Sequence, residues 1–176
     1  MTDRDAALQD LVDQQAVRDV IASVARGLDR LDFELLASCY AEDAVDERHG
    51  VRREIGDFLE WVRPILDGME STLHSISTQL VEVDGDAAYA ESYCMARHFS
   101  VTVAGQPARE WFVYCRYLDR FTRTDGRWLL THRRCAYEPG TVNAATLEPL
   151  PGEILGGARG REDPSYLRDG APAHRP

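Results

Sequence analysis

The hydrophobic pattern of this chain changes its period once, near residue 70, and this change constrains the fold more than any other feature. Before it, apolar residues recur at three- and four-residue steps, which is typical of amphipathic helices. After it, apolar and polar residues alternate in long runs, which is typical of strands. Because helices come first and strands follow, the sequence predicts an α+β domain, with N-terminal helices packed in the concave face of a curved, mainly antiparallel sheet.

The first predicted helix is the longest and covers residues 2–28. Thr2 and Asp5 have the spacing of a capping arrangement at its start, and Gly27 loosens its end. Its apolar face is formed by Leu8, Leu11, Val12, Val17, Val20, Ile21, Val24 and Leu28. This face is expected to pack on the sheet.

Two shorter helices are predicted before the pattern changes. Asp32 is expected to cap a short second helix that carries Phe33, Leu36 and Tyr40 on one side. The third helix covers residues 53–67, where Pro64 is expected to kink or end it. Its predicted buried face consists of Ile55, Phe58, Leu59, Val62 and Leu66.

Four long strands are predicted in the second part of the chain. They cover residues 73–83, 87–103, 109–123 and 127–138. Asp84-Gly85 and Asp125-Gly126 lie between alternating runs, and Asp-Gly at such a place is a strong signal for a β-hairpin. The strands are therefore expected to form an antiparallel meander.

The composition shifts at Pro139, which divides the chain into a domain over residues 1–138 and a tail over residues 139–176. Six of the eight prolines and six of the 13 glycines fall in this tail. The tail also carries the apolar residues Leu147, Leu150, Ile154, Leu155 and Tyr166. Two interpretations stay open: a disordered tail, or an extended arm that lies on a neighbouring surface and supports oligomer formation.

The charged residues exclude several classes of function. The formal net charge is −10, and this excess of acid argues against binding to nucleic acid. All 20 basic residues are arginine, which excludes mechanisms that need a lysine, such as Schiff-base chemistry or a Walker-type phosphate loop. No stretch approaches the roughly 20 apolar residues of a membrane helix, so no association with a membrane is expected.

The spacing of the cysteines indicates which cellular compartment the protein occupies. Cys39, Cys94, Cys115 and Cys135 are widely spaced and form no Cys-x-x-Cys pair. This spacing favours free thiols in a reducing cytoplasm over disulfides or a zinc site. The acidic N-terminus lacks the basic start of a secretory signal, so a cytoplasmic location is expected.

One face of the second long strand carries only small residues before it reaches a histidine. These residues are Ala88, Ala90, Ser92, Cys94 and Ala96, followed by His98. Large side chains from the helices can fill the space that they leave, or the space can form a ligand cavity with few polar groups. The opposite face of the sheet carries Tyr89, Tyr93, Met95, Phe112 and Tyr114. Such a density of exposed aromatic side chains predicts a homo-oligomer, a dimer or a trimer.

Three polar residues on different elements are candidates for chemistry. Asp29 lies at the end of the first helix, and Arg133 lies on the last strand. His74 lies on the first long strand, where it is expected to share a face with Ile76, Thr78 and Leu80. Taken alone, each has an ordinary explanation: a turn aspartate, a histidine of the core and a partner in a surface salt bridge. Spacing and composition do not decide between these interpretations.

Four segments together resemble the SnoaL-like proteins of the nuclear transport factor 2-like superfamily, an α+β cone. They are Leu28-Asp29-Arg30-Leu31-Asp32-Phe33, Cys39-Tyr40-Ala41-Glu42-Asp43-Ala44, Thr72-Leu73-His74-Ser75-Ile76, and Arg116 to Phe121 running through Trp128 to Arg134. The resemblance spans about residues 6–138 and is strongest to the lyase branch. That branch contains scytalone dehydratase, bile-acid 7α-dehydratase and hexachlorocyclohexane dehydrochlorinase.

This resemblance implies an Asp29–His74 dyad inside the cone, with His98 at the place of a second histidine. It also implies a catalytic arginine at Arg133, five residues after Trp128. The residues expected to contact the substrate are Tyr40, Arg48, Cys94, Val113, Cys115 and Tyr117. The tyrosine that activates substrate in the dehydratases has no counterpart in Glu47-Arg48-His49, which leaves His49, His98, Tyr40 and Tyr117 as candidates for the acid.

The function implied is that of a lyase or isomerase without metal or other cofactor. His74 would remove a proton from a small hydrophobic molecule that is polycyclic, steroid-like or polyketide-like. Two alternatives stay open: a polyketide cyclase, and a binding or accessory protein such as the small subunit of a ring-hydroxylating dioxygenase. A carboxylate, an imidazole and a guanidinium on facing elements of one cavity would separate an enzyme from the binding or accessory role, and Asp29 and His74 are expected within hydrogen-bond reach inside the cone.

Overall fold

Helices and strands follow each other in the order that the change of period predicts. The computed structural model describes residues 2–101, 108–144 and 157–166. The elements are α1 (Asp3–Arg30), α2 (Phe33–Ser38), β1 (Tyr40–Arg48), β2 (Val51–Glu54), α3 (Ile55–Asp67), β3 (Met69–Asp84), β4 (Ala87–Ser100), β5 (Arg109–Thr124), β6 (Arg127–Ala144) and a 3₁₀ turn (Gly160–Glu162). The predicted α+β class is confirmed.

The described strands form one six-stranded sheet in the order β2-β1-β6-β5-β4-β3. Strands β1 and β6 are parallel and every other neighbouring pair is antiparallel, so the sheet is mixed but mainly antiparallel. The predicted hairpin between β5 and β6 is present: Asp125 and Gly126 have φ values of 51° and 76°. Two consecutive positive φ angles match the right-handed twist of the flanking strands.

Helix α1 has the predicted start, but its first turns do not pack as predicted. Thr2 accepts a hydrogen bond from the backbone N–H of Asp5 at 3.2 Å, and the Asp5 carboxylate accepts one from the backbone of Thr2 at 2.9 Å. The expectation that Leu8, Leu11 and Val12 pack on the sheet is wrong, because their exposed fractions are 61%, 62% and 53%. The buried part of the helix begins at Asp13, whose carboxylate accepts hydrogen bonds from Trp128 and Arg123.

The two shorter helices differ from expectation at their boundaries. Tyr40 is the first residue of β1 and not part of α2, which ends at Ser38. Helix α3 begins at Ile55 because the two preceding residues pair with β1 in the sheet. It continues past Pro64 and ends at Asp67, with Gly68 as its C-cap. Its predicted buried residues Phe58, Val62 and Leu66 are buried.

A β-bulge in β3 changes which residues face the helices. Ser77 pairs with Tyr93 and Gln79 with Ser92, so Thr78 is an extra residue. An inserted residue shifts the alternation of side chains by one position. The expectation that His74 shares its face with Thr78 and Leu80 is therefore wrong, since Leu80 is exposed and Val81 is buried.

The last strand is longer than predicted. β6 runs to Ala144, past the expected end at residue 138, and pairs with β5 as far as Arg109. The register shifts near Pro139, where a proline cannot donate a hydrogen bond to the ladder. A Cβ atom on Gly140 would lie 2.5 Å from the Phe112 carbonyl oxygen, so only glycine fits here. Residues 104–107, which separate the second and third predicted strands, and the tail residues Leu147, Leu150, Ile154 and Leu155 lie outside the described residues.

The interior between helices and sheet has a filled end and an open end. The filled end is a cluster of large side chains, with Ile21, Leu36, Phe58, Phe121 and Leu130 at its centre. The other end is lined by Ala96 of β4 and by a second, smaller cluster around the cysteines, whereas Ala88 and Ala90 of β4 belong to the filled cluster. The helices in the described ranges fall short of the length and apolar character needed to cross a membrane.

Candidate active site

Asp29 lies in the last turn of α1, on the side that faces the sheet. The chain leaves the helix through Leu31, which has a left-handed φ of 54° and caps the last turn. This sharp exit keeps Asp29 against β3, and only 6% of its surface is exposed. A buried carboxylate needs several hydrogen-bond donors to offset its lost hydration.

Strand β3 supplies these donors. The Thr72 hydroxyl donates to Asp29 Oδ1 at 2.9 Å, and the backbone N–H of His74 donates to Oδ2 at 2.8 Å. His74 Nδ1 lies 2.6 Å from Asp29 Oδ1. Because Thr72 and His74 are two residues apart on a strand, both side chains point to the same side and reach one carboxylate.

The contact between Asp29 and His74 sets the chemistry of the imidazole. An ionised carboxylate only accepts hydrogen bonds, so the ring proton resides on Nδ1 and the lone pair on Nε2. The His74 ring also lines a cavity of about 480 Å³. This arrangement orients a neutral imidazole as a base, with a carboxylate behind it that stabilises the imidazolium once a proton is taken up.

His98 is the second histidine of this wall. Its ring lies edge-on to the His74 ring, with 5.3 Å between centroids and 85° between planes. Burial, together with the smaller effects of the charges of His74 and Arg48, lowers the pKa of His98 to about 4, although the charge of Asp29 opposes them. At neutral pH His98 is therefore an uncharged donor or acceptor of hydrogen bonds.

The cavity is apolar over most of its wall and polar at a few places. The apolar lining consists of Leu28, Trp61, Val62, Ile65, Leu66, Met69, Ala96, Trp111 and Val113, and the polar lining of Arg48, His49, His74, His98, Cys115, Tyr117, Tyr137, Glu138 and the backbone of Gly140. A cavity of this size and character fits a small, mainly hydrophobic molecule with a few polar groups.

Arg48 places a cation in this wall. Its guanidinium donates to both carboxylate oxygens of Asp46, at 2.7 and 3.1 Å, and lies 4.8 Å from the Phe58 ring centroid. Tyr117 lies beside it, and burial raises the pKa of the Tyr117 phenol well above its ordinary value. Tyr117 therefore keeps its proton and can donate a hydrogen bond into the cavity.

Arg133 does not take the place that was expected for it. Its guanidinium makes two parallel hydrogen bonds to Asp119, at 2.8 and 2.7 Å, and stacks on the Tyr117 ring at 4.0 Å. Arg133 is only 1% exposed and is not one of the described residues that line the cavity. The expectation that it faces substrate is not met, and Arg48 is the arginine at the cavity.

Two other predicted contact residues also lie away from the cavity lining. The Tyr40 hydroxyl points into the core and donates to Asp46 at 3.4 Å. Cys94 is buried opposite Cys115 in the register of β4 and β5, and only Cys115 reaches the cavity. Inward orientation was predicted correctly for these side chains, but the depth at which each lies along the sheet was not.

Sequence reasoning missed several residues of the site. Thr72 could have been found, because it lies two residues before His74 and so shares its face. Tyr137, whose ring stacks on that of His49 at 4.4 Å, could also have been found, because it alternates with Arg133 and Cys135 along the predicted last strand. In the described part of the chain, no three His, Cys, Asp or Glu side chains are grouped to hold a metal ion.

Fold and site together define a class of protein: an α+β domain whose helices and mixed sheet enclose a cavity, with a carboxylate–imidazole pair in its wall. Residues 9–134 match the model of the SnoaL-like domain. The chain belongs to this SnoaL-like domain family, which has the nuclear transport factor 2-like fold. No curated protein matches the sequence.

Solved structures show how widely this fold is shared. Hexachlorocyclohexane dehydrochlorinase LinA-type3 from Novosphingobium barchaimii LL02 has a TM-score of 0.70 at 19% identity, with coverage of 82% of this chain and 99% of that one. A proposed scytalone dehydratase from Novosphingobium aromaticivorans DSM 12444 has a TM-score of 0.66 at 19% identity, with coverage of 82% and 97%. A proposed aromatic ring hydroxylase from the same species has a TM-score of 0.68 at 20% identity, with coverage of 76% and 94%. At these identities the likeness concerns the fold, which hosts many functions.

Proposed function

We propose that this protein is a cofactor-independent lyase or isomerase that removes a proton from a hydrophobic, polycyclic substrate. The observation that carries the proposal is the 2.6 Å contact between Asp29 and His74, with the imidazole at the wall of an apolar cavity. A protein that only binds a ligand gains nothing from an oriented imidazole with a buried carboxylate behind it. The likeness of the fold to structures of lyases supports the same class of reaction.

The reaction begins at Nε2 of His74. This nitrogen takes a proton from a carbon atom next to a carbonyl group, and the electron pair of the broken C–H bond moves onto the carbonyl oxygen. The imidazolium that forms keeps its hydrogen bond to Asp29, so the two opposite charges stabilise each other. No metal or nucleotide is needed for this step.

The other polar groups of the cavity have roles in the same scheme. Arg48 stabilises the negative charge that develops on the carbonyl oxygen, and Tyr117 or uncharged His98 donates a hydrogen bond to it. The proton on His74 then goes to a leaving hydroxyl group, which departs as water, or returns to a different carbon. The first outcome is a dehydration and the second an isomerisation.

The lining of the cavity supports the class of substrate. Aromatic and aliphatic side chains such as Trp61, Leu66, Met69 and Trp111 form most of the wall. A flat, steroid-like or polyketide-like ring system buries its apolar surface against such residues, while one or two oxygen atoms reach the polar groups. The volume of about 480 Å³ is within the usual range of roughly 300–1,000 Å³ for sites that hold molecules of this size.

The test is exchange of carbon-bound hydrogen for deuterium in heavy water, measured by mass spectrometry on a panel of hydroxy- and keto-steroids. Wild type is compared with His74→Gln, which removes the base, and with His132→Gln, the same change at a histidine outside the cavity lining. We expect His74→Gln to lose about 10²- to 10⁴-fold in rate, the usual contribution of a general base, and His132→Gln to match wild type.

The outcomes separate the candidate functions. Exchange that is as fast in His74→Gln as in wild type contradicts the proposal. Ligands that bind equally to both proteins, with no exchange in either, favour the binding or accessory role. Exchange followed by formation of a new carbon–carbon bond identifies a cyclase.

A further inference from the structure

A segment near the C-terminus lies against the end of α1 that carries Asp29. We call residues 157–166 the C-terminal segment. The Tyr166 hydroxyl donates to Asp32 at 2.7 Å, and the Arg26 guanidinium donates to the carbonyl of Ser165 at 3.2 Å. Arg30 forms an ion pair with Asp163 at 3.1 Å. The segment is thus attached at three points, although it lies outside residues 9–134 that match the family.

Asp163 holds this segment in one shape. Its carboxylate accepts hydrogen bonds from the backbone N–H groups of Ala158 at 2.8 Å and Ser165 at 2.9 Å. Burial raises the pKa of Asp163, but a hydrogen bond from the Ser165 hydroxyl, these backbone donors and the charge of Arg30 hold the pKa far below its ordinary value. An ionised carboxylate at the centre of a turn fixes the residues on both sides of it.

Within this shape, Arg159 reaches behind the Asp29–His74 pair. Its guanidinium donates to the Thr72 hydroxyl oxygen at 3.2 Å and to the carbonyl of Leu66 at 2.9 Å. Thr72 in turn donates to Asp29 Oδ1 at 2.9 Å. A continuous series of hydrogen bonds therefore runs from Arg159 through Thr72 and Asp29 to the His74 ring.

The chemistry of a hydroxyl group gives this series a direction. A threonine hydroxyl has one proton to donate, and it rotates freely unless a partner fixes it. A guanidinium only donates, so Arg159 occupies a lone pair of the Thr72 oxygen and leaves the hydroxyl proton for Asp29. A cation at one end of such a series also polarises the bonds that follow.

We propose that Arg159 is a positioning residue that acts on the Asp29–His74 pair through Thr72. It orients the Thr72 hydroxyl, which holds the carboxylate in the position that accepts the ring proton of His74. The C-terminal segment is thereby part of the site, although it lies beyond the SnoaL-like domain. The catalytic consequence rests on the function proposed above, whereas the hydrogen-bond series does not.

The first test is solvent exchange of the Nδ1 proton of His74, measured by NMR on the full chain. The resonance is identified by its loss in His74→Gln. Arg159→Gln removes the cation, and Arg161→Gln is a matched control, because it removes one charge from the same segment without touching Thr72. We expect exchange to become about tenfold faster in Arg159→Gln, as for loss of one charge-assisted hydrogen bond, and to match wild type in Arg161→Gln.

The second test asks whether Arg159 acts through Thr72. Thr72→Val keeps the shape of the side chain and removes the hydroxyl. If the effect passes through this group, the double variant exchanges no faster than Thr72→Val alone. Effects of the two substitutions that simply multiply contradict the proposal, as does Arg159→Gln with wild-type exchange. Arg159→Met, which also removes the cation, replaces Arg159→Gln if the latter does not fold.

These results are distinguishable from failure of the proposed function. With an active wild type, Arg159→Gln is expected to lower kcat about tenfold and to leave KM unchanged, because Arg159 does not touch substrate. Unchanged kcat and unchanged exchange overturn the positioning role and leave the lyase intact. Faster exchange in a protein that turns over nothing supports the positioning role and contradicts the lyase.

Discussion

Several buried carboxylates in the described residues accept hydrogen bonds from basic side chains, and two of these pairs differ in whether the basic group keeps an atom free for substrate. In the closed pair, Asp119 and Arg133 face each other on neighbouring strands and use both carboxylate oxygens. In the open pair, Asp29 holds one nitrogen of His74, and the ring lines the cavity. Arg133 and Asp119 have 1% and 0% exposure, so substrate cannot reach them.

This difference shows how a buried pair that stabilises the fold can be distinguished from a buried pair that can act on substrate. A guanidinium that is bound by a carboxylate, covered by an aromatic ring and enclosed away from the cavity, as Arg133 is, stabilises one packing arrangement and cannot act on substrate. An imidazole that donates from one ring nitrogen to a carboxylate has a second ring nitrogen that can act on substrate. A pair of a carboxylate and a basic side chain therefore does not by itself identify a catalytic site. A ring nitrogen that the carboxylate leaves free, beside a cavity, does.

The largest expected effect concerns the closed pair. Arg133→Met leaves Asp119 as an unpaired charge in the core, and we expect the free energy of unfolding to fall by about 3–5 kcal/mol. Urea denaturation measures this. The double variant Arg133→Met with Asp119→Leu removes both charges and should recover most of the loss. If Arg133→Met alone is as stable as wild type, the pair is not the closed structural element described above.

A smaller effect on stability is expected when the pH is lowered, because of His98 at the open end of the interior. Burial first, and then the charges of His74 and Arg48, lower the pKa of His98 to about 4, against about 6.5 in the unfolded chain. The folded state therefore binds fewer protons, so stability is complete above pH 6.5 and falls as the pH drops toward 4.

The variant His98→Asn isolates this contribution. Between pH 7 and pH 5, wild type should lose about 2 kcal/mol more stability than His98→Asn. Denaturation at a series of pH values gives both curves. Parallel curves would mean that His98 is protonated as easily in the folded protein as in the unfolded chain.

The smallest effect on stability is expected at the open pair. In His74→Gln, Asp29 keeps its hydrogen bonds from Thr72 and from the backbone of residue 74, so the free energy of unfolding should change by less than about 1 kcal/mol. Urea denaturation checks this beside the loss of exchange activity. A loss as large as that of Arg133→Met would remove the distinction between the two pairs.

Much of the fold could be predicted from the sequence because it rests on local patterns. Periods of 3.6 and two residues, the Thr2 cap and the Asp125-Gly126 turn each arise from backbone geometry within a few residues. The errors lie where one residue changes the pattern. The bulge at Thr78 exchanges the faces of β3 beyond it, and Leu8 and Leu11 lie on a helix longer than the sheet surface that it covers.

The candidate site was predictable only in part, and resemblance to a family supplied most of it. Asp29 and His74 lie 45 positions apart in sequence, so no local rule brings them together. Arg133 was expected at the cavity because the family resemblance implies a catalytic arginine five residues after Trp128. Inward positions along β6 differ in depth, however, and the Arg133 guanidinium donates to the Asp119 carboxylate on the neighbouring strand.

The sequence by itself determined the order of helices and strands, the small residues of β4 that leave space, and the absence of lysine chemistry. Only the tertiary structure decided which inward polar groups reach that space. In it, Arg48 lines the cavity, Arg133 donates to Asp119, and Arg159 donates to the Thr72 hydroxyl oxygen. The physical reason is that alternation along a strand fixes the side on which a residue lies. Its partners depend on strand register and on segments distant in the chain.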